Sequence, residues 1–362
     1  MPGVYISYPF CSQKCTYCNF ASGVFSGELE HDYVEALATE ITSHPWQWVP
    51  ETVYLGGGTP GRMRVATLDR LLRLVPGRPW VEATIEAAPG NLDLETARAW
   101  REAGITRVSL GVQSFVQREL ARSGRKHTAA IVEQETRILA DSGIQHVNID
   151  LIAGLAGQTI ESWEESLGWI ERLRPDHVSV YMLEVDSDSR LGGEILSGGD
   201  RYGARNVPAD ETIAEMYEAA VDKLGTLGFA RYEISNFALP GCESRHNLKY
   251  WRLEPYVGFG ADAHSYDCRS RWSNVENPAD YVRSAGSPRK EPADAGANER
   301  LYIGLRLSEG VRPAEADWRR FDEPIRRFVD AGLLERDGKT LRLTSRGVLL
   351  SNEVFQEFIE TC

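Results

Sequence analysis

Long apolar runs are missing from this chain. Nowhere in its 362 residues is there the stretch of about 20 apolar residues that a spanning helix needs. The opening MPGVYISYPF has neither the basic start nor the apolar core of a secretory signal. Together these absences predict a cytoplasmic protein with no membrane span, leaving peripheral membrane association open. Positive charge is also short, with 40 Lys and Arg against 53 Asp and Glu and a formal net charge of -13. Such a surface repels phosphate backbones, which excludes a general nucleic-acid binder. Cysteine is scarce too. Of the six, three cluster at 11, 15 and 18, while Cys242, Cys268 and Cys362 lie far apart, so a disulfide framework is a poor explanation. Internal repeats and low-complexity tracts are absent.

What is present is an ordinary globular composition, 42% hydrophobic and 26% charged, enough for one large domain and a smaller companion. Short β-rich runs, VYISYP, ETVYLGG, ATIEAAP, RVSLGVQS, HVNIDLIAG and HVSVYMLEV, alternate with helical patterns such as ELEHDYVEALATEITS and TAAIVEQETRILADSG. The runs are apolar on both faces, as in parallel strands covered by helices, and predict an α/β fold with an open or closed barrel. Ligands of such folds sit at the strand C-termini. The cysteines follow the first run, glycines end the second, and Glu86, Gln113 and Asp150 end or follow later ones.

After residue 186 the composition shifts. Residues 186–209 are rich in Gly, Asp and Ser and read as a loop or lid, with a helix resuming at ETIAEMYEAAVDKLGTLG. AGSPRKEPADAGA reads as a linker between a barrel domain, residues 1–290, and a C-terminal module, residues 291–362. There PIRRFVDAGLLERDGKTLRLTSRG predicts a helix and a hairpin turning at Asp337 and Gly338, as in a small winged helix. With few cations on its wing, the module reads as a packing cap without its own ligand.

The cysteine loop PFCSQKCTYCNF poses a definite problem in coordination. Structural zinc takes four ligands, often from two separated C-x2-C knuckles, whereas C-x3-C-x2-C supplies three from one loop and no second knuckle follows. A cubane iron-sulfur cluster held by three thiolates keeps one iron open to a non-protein ligand. Zinc stays as the weaker alternative.

This spacing after the first strand, with GGGTP after the second, resembles the radical S-adenosylmethionine (SAM) superfamily over nearly the whole chain. The resemblance implies a partial (β/α) barrel and a [4Fe-4S] cluster on Cys11, Cys15 and Cys18. It also implies SAM chelating the open iron, and one-electron cleavage to a 5'-deoxyadenosyl radical. Gly56, Gly57 and Gly58, without side chains, would let the strand end approach the amino-acid moiety, and Thr59 joins the same site. Glu86, Gln113, Arg125 and Asp150, with Tyr5 and Tyr17, match SAM contacts of the oxygen-independent coproporphyrinogen oxidase branch. A zwitterion carrying a ribose calls for such an arginine and such acceptors.

A second motif separates relatives within this branch. RHNLKYW carries His246, Asn247, Tyr250 and Trp251, an HNxxYW pattern that resembles the haem-binding signature of radical-SAM haem chaperones and implies a haem-binding region over 232–265. Imidazole is a common axial ligand of haem iron, and aromatic rings can cover a flat macrocycle. Cys242 is either a second iron ligand or a small loop residue. Coproporphyrinogen oxidases of this type usually carry one further cysteine where this chain has Phe20, and a longer segment before the cluster. The resemblance therefore implies haem binding and delivery to acceptor haemoproteins, with an electron donor such as a flavodoxin or ferredoxin and no assigned catalytic residue. Oxidative decarboxylation of coproporphyrinogen III is the alternative.

Overall fold

The fold was obtained as a computed structural model, which describes residues 2–284, 289–292 and 297–359. Most of the linker and Cys362 lie outside the described residues. Six parallel strands run in sequence order: β1 (Gly3–Tyr8), β2 (Thr52–Gly57), β3 (Glu82–Ala87), β4 (Arg107–Gln113), β5 (His146–Ala153) and β6 (His177–Met182). They are separated by α1 (Gly27–Ser43), α2 (Val65–Leu74), α3 (Leu94–Glu102), α4 (Gln117–Arg122), α5 (Ala129–Ser142) and α6 (Ile160–Leu173). The helices start where side chains satisfy free backbone N–H groups. Ser26, Asp93, Thr128 and Thr159 each accept from the amide three residues on. Val4, Ile6, Val53, Leu55, Ile85, Val108 and Ile149 are sealed in the core between sheet and helices.

The sheet is wider than the sequence suggests and stays open. Beyond β6 lie α7 (Arg190–Leu196), α8 (Asp210–Thr226), β7 (Ala230–Arg231), β8 (Asn236–Ala238) and α9 (Arg245–Trp251). The chain then returns to the other edge, where β9 (Tyr256–Phe259) pairs parallel to β1, followed by antiparallel β10 (His264–Tyr266), β11 (Ser270–Ser273), α10 (Pro278–Ser284) and β12 (Arg289–Pro292). The strand order is β12-β11-β10-β9-β1-β2-β3-β4-β5-β6-β8-β7, an open partial barrel. Segment 186–209 is not wholly loop, because it holds α7 and a 3₁₀ turn over 201–206. β12 straddles residue 290 and pairs with β11, so the sheet continues across the expected domain boundary.

The C-terminal module contains α11 (Ala297–Gly304), α12 (Glu315–Arg320), α13 (Asp322–Asp330), α14 (Ser345–Leu349), α15 (Ser351–Gln356) and the hairpin β13 (Leu334–Asp337) and β14 (Thr340–Leu343). The hairpin turns at Gly338, whose φ of 60° favours glycine.

Candidate functional site

Register places the site. Gly3 pairs with Thr52 and Tyr8 with Gly57, so β1 and β2 end side by side and the cysteine loop emerges against the glycines. Gly58 donates its N–H to Tyr8 O at 2.9 Å and Thr59 to Phe10 O at 3.1 Å. A Cβ on Gly58 would lie 2.8 Å from the Pro9 carbonyl carbon and 2.9 Å from Phe10 N, so only glycine fits this approach. The loop is closed at its base by the Cys11 N–H to Gly23 O bond at 2.8 Å and braced by Thr16 N–H to Ser123 O at 3.2 Å. Segment 186–209 clasps it from outside. Asn19 donates to Asp186 at 2.6 Å, Leu191 N–H to Thr16 O at 2.8 Å, and Arg190 to Lys14 O.

Cys11, Cys15 and Cys18 are unpaired, partly buried thiols on the wall of one cavity of about 720 Å³. That volume lies within the range of pockets that enclose a small ligand. The same wall carries Tyr17, Gly57, Gly58, Thr59, Glu86, Gln113, Arg125 and Asp150, so most of the expected cofactor residues meet at one place. Burial raises the Cys11 thiol pKa, against hydrogen bonds from Thr59 and Ser22. Such a thiol holds its proton until a metal binds the sulfur and displaces the proton to solvent.

Gln113 is aimed by backbone strain. A bulge between Gly111 and Gln113 shifts the β4–β5 register, and Gln113 has a φ of 72°, unusual for a residue with a side chain. It is 9% exposed, and its Oε1 has no hydrogen-bond partner among the described residues. A buried amide oxygen in that state suits a donor from a ligand. Arg125 is held from two sides, giving Nη1–H to Gly111 O at 2.5 Å and Nε–H to the Tyr17 hydroxyl at 3.2 Å. Burial opposes its charge, but Tyr17 and Cys15 outweigh it and keep the guanidinium charged. Asp150 accepts from Ser109 at 3.0 Å and Asn148 at 2.7 Å. Burial still raises its pKa. Burial also lifts the Glu86 carboxyl to about 7, against a 2.9 Å bond from the Tyr54 hydroxyl. The residues present therefore fit both groups, with three thiols for a cluster and a carboxylate, an unpaired amide and a fixed cation for a zwitterion.

Tyr5 does not line the cavity. It stacks on Tyr54, centroids 6.1 Å apart, and stands behind Glu86. The HNxxYW residues lie beneath the same floor. His246 is 0% exposed; its Nδ1 pairs with the Thr52 hydroxyl at 2.8 Å, its Nε2 with the Tyr250 hydroxyl at 2.8 Å, and its ring stacks on Tyr54 at 5.2 Å. Burial, then Lys249, lowers its pKa to about 3, so it is neutral. In this arrangement neither ring nitrogen is open to a haem iron. Asn247 lines a 20 Å³ cavity with Tyr54, Asp150 and Tyr181, room for one water. Trp251 lies under the Arg306 guanidinium, 4.4 Å from its ring, and Arg306 itself reaches the large cavity.

The sequence did not point to Thr52, Tyr54, Glu82 or Arg306. Glu82 accepts the N–H groups of His246 at 3.0 Å and Arg245 at 3.2 Å, anchoring α9 by its first turn, and pairs with buried Arg107 at 3.1 Å. Tyr54 had a signal, since the period of two in TVYLGG puts it on the face of Gly56. Leu349, Ser351 and Asn352 of the C-terminal module also border the large cavity, so the module covers the site.

The profile of the Radical SAM superfamily matches residues 5–170 and that of the HemN C-terminal domain residues 292–350. The chain is 32% identical to the heme chaperone HemW of Lactococcus lactis subsp. lactis, over 98% of this chain and 96% of that protein. The chain belongs to the HemW family. Another member, from Bacillus subtilis, is 32% identical over 99% of both chains. Escherichia coli coproporphyrinogen III oxidase (HemN), described as a radical SAM enzyme, superposes with a TM-score of 0.83 over 99% of this chain and 90% of its own, at 21% identity. That likeness shows the shared fold. Radical SAM membership brings a [4Fe-4S] cluster and SAM to this HemW-family chain. Among the described residues no helix is long and apolar enough to cross a membrane.

Proposed function

We propose that this protein binds haem and passes it to acceptor haemoproteins, and that it carries a [4Fe-4S] cluster on Cys11, Cys15 and Cys18 with SAM alongside. The observation that carries the reading is full-length similarity, through both domains, to proteins named heme chaperones. For SAM, Arg125 would take the carboxylate and Glu86 the amino group, with Gly57, Gly58 and Thr59 lending backbone. Gln113, Asp150 and Tyr17 would face the remaining polar groups. When bound, the cluster and SAM supply one-electron chemistry. The chain's own part is to hold the cation at Arg125, keep the Glu86 proton adjustable near neutral pH, and cover the cavity with the C-terminal module. Region 232–265 would take part in haem binding, with His246 released from Thr52 and Tyr250 if it reaches iron. An electron donor of the flavodoxin or ferredoxin type and a cytoplasmic location complete the proposal.

Anaerobic reconstitution followed by haem titration tests it. The expected result is about one cluster and a saturable haem complex per chain. Haem that binds without saturation, as to an unrelated acidic protein, would remove the proposed function.

A further inference from the structure

At the end of the sheet opposite the cysteine loop, the strand starts bring together three residues far apart in sequence. β5 and β6 pair with Asn148 against His177, so Asp176 falls beside Val147 and receives its N–H on Oδ1 at 3.0 Å. The other carboxylate oxygen meets His146 Nδ1. β8 pairs with β6 through Ala238 and His177, and Leu239 N–H reaches Asp176 O at 3.0 Å. The chain then turns through Pro240 and Gly241, the latter at φ 81°, and closes with Cys242 N–H on Leu239 O at 2.9 Å. Proline followed by a glycine at positive φ is the pattern of a type II turn. The turn folds Cys242 back over Asp176. Nitrogen, oxygen and sulfur ligand atoms from His146, Asp176 and Cys242 all lie within 4.8 Å of one another.

We propose that His146, Asp176 and Cys242 form a second metal site, separate from the cluster, for a borderline divalent cation of the zinc or cobalt type. The mixed N, O and S set suits such ions, and three protein ligands leave a fourth position open. Three ligand atoms within 4.8 Å of one another also suit a bare cation better than haem iron, whose axial ligands stand on opposite faces of the macrocycle. The three residues are half-buried, so an ion can enter. Asp176 is oriented from behind by the Val147 N–H, as outer partners orient metal ligands. Nearby charge is divided: the Arg107 guanidinium, 2.9 Å from Cys242 O, opposes a cation, while the carboxylates of Asp176 and Glu243 favour one. On binding, the Cys242 thiol gives its proton to solvent and the thiolate takes the metal. An ion there would pin the turn that leads through Ser244 into α9, whose His246 stacks beneath the SAM cavity. The proposal is independent of the haem reading.

The test uses cluster-reconstituted full-length protein, so that Cys11, Cys15 and Cys18 are occupied. Zinc per chain is measured by equilibrium dialysis against Zn2+ for wild type, Cys242→Ser, His146→Gln and Asp176→Asn, with cluster iron per chain as the internal standard. Wild type should bind one zinc more than the variants, each weakened by more than the ~10–100-fold that loss of an outer partner costs. Cobalt in place of zinc should give a thiolate charge-transfer band that Cys242→Ser abolishes while cluster iron is unchanged. Equal zinc in wild type and in any two variants with full cluster iron would overturn the proposal, as would a cobalt band unaltered by Cys242→Ser.

Discussion

His246→Ala separates two roles for the HNxxYW motif. In the structure the imidazole fills a site with no solvent exposure and serves two hydroxyls, those of Thr52 and Tyr250. Removing it leaves the buried Thr52 hydroxyl and the half-buried Tyr250 hydroxyl without that partner, at about 1–3 kcal/mol for a buried group left unsatisfied, and opens a cavity beneath β2. Some relaxation is expected, so the net loss of stability should be about 2–5 kcal/mol. The second effect is on the cofactor pocket. Tyr54 loses a stacking partner worth about 0.5–1.5 kcal/mol, and Tyr54 is the residue that steadies Glu86 at 2.9 Å. SAM affinity should therefore fall by up to about tenfold. Tyr54→Phe, which removes only the hydroxyl bond to Glu86, should lower SAM affinity with little change in melting temperature. Thermal melts and anaerobic SAM titrations give both numbers. The reasoning is refuted if His246→Ala melts and binds SAM as wild type does while its haem absorption band shifts, because His246 would then be an iron ligand and not a support.

Further outcomes follow from the same geometry. Cys11→Ser, Cys15→Ser and Cys18→Ser should each lose the cluster, read as iron and acid-labile sulfide, whereas Cys268→Ser, exposed and distant from the loop, should keep it. Arg125→Ala should weaken SAM by about 1.5–3 kcal/mol with the cluster intact, and unchanged affinity would remove it from the site. Glu86 titrates at about 7, so raising pH from 6 to 8 converts it from mostly neutral to mostly carboxylate, a stronger acceptor for the N–H groups of the SAM amine, and should strengthen SAM binding. Glu86→Gln should flatten that pH profile. In the SAM-free protein the sign reverses: the folded acid, raised from 4.5 to about 7, holds its proton where the unfolded one does not, so this group costs stability as pH rises between those values.

The serial β/α pattern and the cysteine and glycine motifs were legible because they are local. Strand ends carry their ligands, and parallel register then brings Cys11, Gly57, Glu86, Gln113 and Asp150 to one cavity. The bulge that turns Gln113 left no mark in GVQSF, which reads as a regular strand. The spacing of four residues puts His246 and Tyr250 on one face of α9. Which way that face looks depends on Glu82, 164 positions earlier, and on Thr52, so local pattern was silent. Composition misled over 186–209. Part of the segment is helical, and Gly192 there lets α7 approach the preceding loop, since a Cβ on it would sit 1.9 Å from Asp186 O. Short strands such as β10 and β11, three and four residues long, lack the periodicity that reveals longer ones.

The most direct test of the account sets delivery against turnover in one preparation. Cluster-reconstituted protein is loaded with haem and mixed with an apo-haemoprotein, while a second portion receives coproporphyrinogen III, SAM and reductant under anaerobic conditions. The account predicts that haem moves to the acceptor, seen as the acceptor's own absorption band, and that coproporphyrinogen is left unchanged. Steady decarboxylation of coproporphyrinogen, with haem neither retained nor transferred, would contradict it.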